Sequence, residues 1–376
     1  MRTTLCCATI VLLTAACGGP PAPSSSATPA SVEQFVPDPE LLAAAEAEGG
    51  SLTTIALPRD WCNYGTLIDT FEERTGLAVN ELAPNSGPGD EIEAIRASEG
   101  NPGPEAPDVV DVSLPFGPFA AGEGLLAPYK VRAWDSIPSS QKDPDGAWYG
   151  GYFGVTGFEV NRAYVDSPPA DWPDLLEAAY AGQVALPGDP RTSNQAMSAV
   201  YAAALANGGS LDDARPGLEF FRQLHDRGNL QATIATATSS AAGETPIAIR
   251  WTYYALPSRD ATAAADGPEI EIVVPASGRL GQLSVQAISA HAPHPSAAKL
   301  WMEFLYSDEG QLLWLEGYCH PVRFEELVAR ERVPAALLAR LPDVAAVQFP
   351  SLAQLDAARD LIAGQWDAIV GLDIRQ

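Results

Sequence analysis

A short unbroken apolar stretch, residues 5–13 behind Arg2, opens the chain. It is too short to cross a bilayer and has the length of a signal-peptide core. From about residue 50, short apolar runs alternate with segments whose apolar positions recur at helical spacing. Residues 51–57 read as a buried strand, and 64–75 as a helix with Leu67, Ile68 and Phe71 on one face, stopped by Gly76. Residues 77–82 give the next strand, 90–99 the next helix and 108–112 a third strand. This β-α-β-α-β run predicts a parallel sheet. Ligands of such sheets sit at the carboxyl ends of the strands, here the loops 58–63, 84–89 and 113–118.

The aromatic segment 147–161 is a long strand pattern laced with glycine, which marks a bend or a close backbone approach. It reads as the first crossing between two domains. A second α/β unit follows, with helices at 175–180, 193–206 and 218–230 and strands at 183–186 and 246–251. Strand 270–274, the apolar segment 283–290 and helix 296–306 come next, and the chain reads as helical from Phe324 onward, broken by Pro334, Pro342 and Pro350.

The ends change the picture. Small residues precede a cysteine at Thr14-Ala15-Ala16-Cys17, which resembles a lipobox, although the branched aliphatic usual three positions before the cysteine is Thr14 here. The expectation is cleavage before Cys17 and a lipid on it; the alternative is ordinary cleavage that leaves Cys17 free. Residues 1–16 are then a signal peptide, and 17–36 a Pro/Ser-rich tether unable to bury a core. Roughly 340 residues remain, more than one core usually serves. The expected domains are 37–150 with 269–318, and 151–268 with 319–376. A net charge of −26 is unsuited to nucleic acid. Cys62 and Cys319 alone are left in the folded part, either paired or as two separate buried thiols.

Trp172-Pro173-Asp174-Leu175-Leu176, then Tyr180-Ala181-Gly182 and Val184-Ala185-Leu186-Pro187 leading to Asp189-Pro190, resemble the extracellular solute-binding proteins of ABC importers. The likeness extends to Phe71-Glu72-Glu73-Arg74-Thr75-Gly76, to Ile247-Ala248-Ile249-Arg250-Trp251 and to the stretch from His294 to Gln311. It is nearest the group that binds ferric ion, polyamines, thiamine and phosphate esters. The resemblance implies an α/β fold, a two-domain periplasmic-binding-protein-like clamp (type 2). Each domain would carry a mixed, mainly parallel sheet flanked by helices, with a small charged solute held in the cleft. It also implies an exported monomer, outside the cell membrane or in the periplasm, that serves a membrane permease and needs no cofactor. A secreted hydrolase and a sensor lipoprotein are the rival classes. No H-E-x-x-H, G-x-S-x-G, Walker A or CxxC pattern supports an enzyme.

Candidate contacts follow from these loops. Asp60, Trp61, Asn63 and Tyr64 lie after the first strand, where capping is the competing role, and Ser86 sits in the second loop. Arg191, Thr192, Ser193 and Asn194 open a helix whose free N–H groups suit an anion, or else simply cap it. Arg250, Trp251, Tyr253 and Tyr254 end a strand on the same side, and Tyr152 lies near the crossing. Tyr253 and Tyr254 are the metal ligands if the solute is ferric ion. In an extended strand neighbouring side chains point oppositely, so both reach one ion only if the chain turns there. A small organic ion ranks above iron.

Overall fold

The computed structural model describes residues 33–101 and 103–375. The expected signal peptide and Cys17 lie outside them. Among the described residues the strands are β1 (Ser51–Ile55), β2 (Ala78–Leu82), β3 (Val109–Ser113), β4 (Leu126–Ala127), β5 (Tyr149–Asn161), β6 (Val184–Ala185), β7 (Ile247–Trp251), β8 (Ile270–Val273), β9 (Gly281–Ser289) and β10 (His320–Pro321).

β5 organises the molecule. Its first half, Tyr149 to Val155, pairs antiparallel with β9, and Thr156 to Asn161 pairs with β7 and β8. The strand therefore changes partners between Val155 and Thr156, where it passes from one α/β lobe to the other. β9 continues to β3 and β4 on the first side, and β7 to β6 on the second. Helices cover both sides. Tyr64–Thr75 buries Leu67, Ile68 and Phe71 and stops at Gly76, whose φ of 74° is the left-handed conformation glycine adopts freely. Asn194–Ala206 and Arg215–Asp226 pack on one another in the second lobe. The α/β clamp stands as expected.

Its strand order departs from the simple run. β1 and β2 pair in parallel as a separate two-stranded sheet, whereas β3 runs antiparallel to β9. β3 still lies beside β1, because Asp108 donates its backbone N–H to the Thr53 carbonyl and accepts the Thr53 N–H on its carboxylate at 2.7 Å. β6 with β7 is the other parallel strand pair among the described residues, so antiparallel pairing dominates.

Three local expectations also change. The helix expected at 175–180 is two 3-10 turns, Trp172–Leu176 and Ala178–Tyr180, divided by Glu177 in extended backbone. The C-terminal stretch is helical only at Phe324–Ala329, Ala335–Leu338 and Leu352–Ile369. After Trp251 the chain turns at once into the helix Thr252–Ala264, which Pro257 in its interior hid from the sequence. Cys62 and Cys319 form a disulfide with their Cα atoms 5.5 Å apart.

Candidate functional site

The ends of β1, β2, β3 and β7, with the start of the helix Asn194–Ala206, converge on a cavity of about 660 Å³ between the lobes. The first lobe gives it Asp60 and Trp61 after β1, Ser86 after β2, Glu91 from the helix Pro88–Ala97, and Asp111 and Ser113 from β3. Asn194, Trp251, Tyr253 and Tyr254 come from the second lobe, and Tyr152 of β5 lies between.

The loop behind Trp61 is held in an unusual backbone. Ala56, Cys62 and Asn63 have φ of 56°, 46° and 62°, conformations that residues with a Cβ adopt at a cost. The disulfide fixes the far end of this loop. Trp61 is thereby set to donate its indole N–H to the Tyr152 hydroxyl at 2.8 Å. The same indole meets Tyr253 and Tyr254 with ring centroids 5.0 Å apart in each case, so an aromatic wall spans the two lobes. The turn into the helix at Thr252 is what brings both tyrosines to the cavity. Gly154 of β5 allows the fit, because a Cβ there would lie 2.1 Å from the Tyr253 ring. Gly154→Ala is therefore expected to destabilise the protein by about 1–3 kcal/mol, as overpacking does. Equilibrium unfolding in urea measures it.

Beneath the wall lie two carboxylates. Tyr152 and Tyr64 donate their hydroxyls to Asp111 Oδ2 at 2.7 and 2.6 Å. Asp111 Oδ1 is buried and has no hydrogen-bond partner. Burial raises the Asp111 carboxyl to about 6, against the lowering effect of the two tyrosine bonds and Gln286. Glu91 is 1% exposed and accepts the Asp111 backbone N–H at 3.1 Å. Burial, then the Asp111 charge, raises its carboxyl well above the usual carboxylate range. No Lys, Arg or His is among the described residues lining the cavity. Two deeply placed acids thus line the cavity without a countercharge, an arrangement relieved either by taking up a proton or by the entry of a positive group.

The sequence-derived candidates divide. Asp60, Trp61, Ser86, Tyr152, Asn194, Trp251, Tyr253 and Tyr254 line the cavity, and Tyr64 supports it through Asp111. Asn63 does not reach it: its amide donates to the Leu313 carbonyl at 3.0 Å and its oxygen accepts from Thr66. Arg191, expected beside an anion, is instead held by Asp189, Asp367 and Asp373. Thr192 lies in the Asp189 turn, and Ser193 caps the helix, accepting from the Ala196 N–H. Arg250 is turned onto the buried Glu159 at 2.5 Å. Arg191 is held by three carboxylates and Arg250 commits one N–H to Glu159, and neither side chain lines the cavity in this arrangement.

Glu91 and Asp111 were missed, although each left a signal. Asp111 interrupts the apolar strand Val109–Ser113, where a charge is rarely buried without purpose. Glu91 lies four residues before Ile95, on the buried face of its helix.

The comparisons agree with this architecture. Residues 105–357 match the model for bacterial extracellular solute-binding proteins. An uncharacterized protein of Haemophilus influenzae is 28% identical over 297 residues, covering 74% of this chain and 81% of its own. The periplasmic binding protein AfuA of Actinobacillus pleuropneumoniae, solved with fructose-6-phosphate, superposes with a TM-score of 0.59 at 22% identity, covering 85% of this chain and 98% of that one. Iron-bound HitA of Pseudomonas aeruginosa gives 0.61 at 20% identity, covering 86% and 99%. No helix among the described residues is long and apolar enough to cross a membrane. With the family model matched over more than half of its length, the chain belongs to the bacterial extracellular solute-binding proteins.

Proposed function

We propose that the solute is a small organic cation, of the polyamine or thiamine-like kind. The clamp closes on it in the cleft and presents it to the permease of an ABC importer. The observation that carries this reading is the buried, unpartnered Asp111 oxygen, beside Glu91, in a cavity walled by aromatics and lined by no basic side chain. An ammonium beside the Asp111 carboxylate supplies the missing countercharge, and the faces of Trp61 and the tyrosines favour its charge. A solute that touches Trp61 and Asp111 on one lobe and Tyr254 and Asn194 on the other favours the closed state by its differential affinity. The lobe boundary is taken within β5 between Val155 and Thr156 instead of at residue 150, with β8 counted in the second lobe because it pairs with Phe158–Asn161, and the protein is taken as a monomeric receptor without turnover. A lipid on Cys17 would hold it at the outer face of the membrane.

A second reading is ferric ion. The turn at Thr252 brings Tyr253 and Tyr254 to one cavity, as paired phenolate ligands would require. Burial acts against it by raising both phenols, Tyr253 well above its usual value.

Thermal unfolding with spermidine, thiamine, fructose-6-phosphate or ferric citrate separates these readings, since a solute bound only by the native state raises the melting point. At one hundred times its Kd, a bound cation adds about 2.7 kcal/mol to stability. A rise with the phosphate ester alone, or with iron alone, rejects the organic-cation reading. Trp61→Ala is expected to weaken the bound cation by about 1–3 kcal/mol, the range for losing an aromatic anchor with its packing. Calorimetric titration measures that loss.

A further inference from the structure

We propose a second small-molecule site, on the opposite face of β5 from the cleft, for an amphipathic molecule with an apolar body and one N–H or O–H donor. Neighbouring strand residues point to opposite faces, and here Tyr152 lines the cleft while Phe153 lines a separate cavity of about 890 Å³. That volume lies in the range of small-molecule sites. Phe153, Val322, Phe324, Leu341, Val344 and Phe349 form its apolar walls.

Two polar groups at these walls lack partners. Gln141, which also lines the cavity, is 5% exposed, and its side-chain oxygen accepts no hydrogen bond. Behind the wall the buried ring of His320 stacks on Phe153 at 5.5 Å and meets Phe324 edge-on at 5.2 Å, with neither nitrogen bonded. An apolar cavity needs no such groups. A ligand that fills the walls and donates to Gln141, once its side-chain amide turns toward the cavity, gives the stranded oxygen its partner. The site is independent of what the cleft binds.

The test uses the purified protein and N-phenyl-1-naphthylamine, a fused-ring apolar probe with one N–H that brightens in apolar surroundings. Saturable brightening with one probe per chain is expected. Leu338→Glu, at an exposed position on the lining, should weaken it at least tenfold, and Ala345→Trp, at the same lining, should do likewise, both with unchanged circular dichroism. Gln141→Leu should weaken it several-fold. Absence of saturable brightening overturns the proposal, as does wild-type affinity in both lining variants. Undiminished affinity in Gln141→Leu overturns the assigned donor contact.

Discussion

Asp111→Asn is expected to lower the affinity of the cleft for an organic cation by about 30- to 1,000-fold, while making the empty protein more stable at neutral pH. The affinity loss follows from removing one partner of a desolvated charge pair, which costs about 2–4 kcal/mol. The stability gain has the opposite sign because the folded protein holds this carboxyl at about 6, above its ordinary 3.8. A group raised in this way gives stability that is fully present below the unfolded value and is lost as pH rises through the folded value. The difference amounts to about 3 kcal/mol for Asp111, and Glu91 acts in the same direction. The empty wild-type protein should accordingly gain stability from these two groups as pH falls from 7 toward 4. Its cation affinity should fall over the same window, as the Asp111 carboxylate takes up its proton. Urea titrations and calorimetry at pH 7 and 5 read both quantities. A variant that lost affinity and stability together would assign Asp111 a packing role only.

Removing the disulfide, with Cys62→Ser and Cys319→Ser together, is expected to cost about 2–5 kcal/mol, which a chain of this size shows as a melting-point fall of about 4–12 °C. The bond closes a separation of 257 residues, toward the upper end of the loop-entropy effect. A second consequence is local. Cys62 lines the cavity and its neighbour Trp61 carries the aromatic wall, in a loop with three non-glycine residues at positive φ. Without the bond that loop relaxes, so cation affinity should fall along with stability. Differential scanning calorimetry and ligand titration of the double variant check the two effects. An unchanged affinity would show that the strained loop holds itself.

Much of this arrangement was legible in the chain because it depends on local pattern. The helix Tyr64–Thr75 follows directly from the spacing of Leu67, Ile68 and Phe71 and the stop at Gly76. The glycine-laced strand announced a crossing and a close approach, which Gly154 under Tyr253 supplies. The loops at the strand ends follow from the alternation of strands and helices, and most of the candidate contacts on them line the cavity. What was not legible depends on partners distant in sequence. β3 pairs with β9, some 170 residues later, and nothing local to either strand states it. Arg191 and Arg250 invite an anion until Asp367, Asp373 and Glu159 are seen to hold them. Tyr253 and Tyr254 looked like strand residues because Pro257 argues against the helix that carries them. The Cys62–Cys319 bond is hidden for the same reason, since sequence gives no distance.

On the proposed reading the cleft recognises positive charge through Asp111. Isothermal titration of the purified protein with spermidine, thiamine, fructose-6-phosphate and ferric citrate tests it most directly, run in parallel on Asp111→Asn. Saturable binding of an organic cation at pH 7, weakened at least 30-fold in the variant and weaker at pH 5, is the predicted result. Tight binding of the phosphate ester or of iron with no response to either cation, or cation binding indifferent to Asp111→Asn, would contradict it.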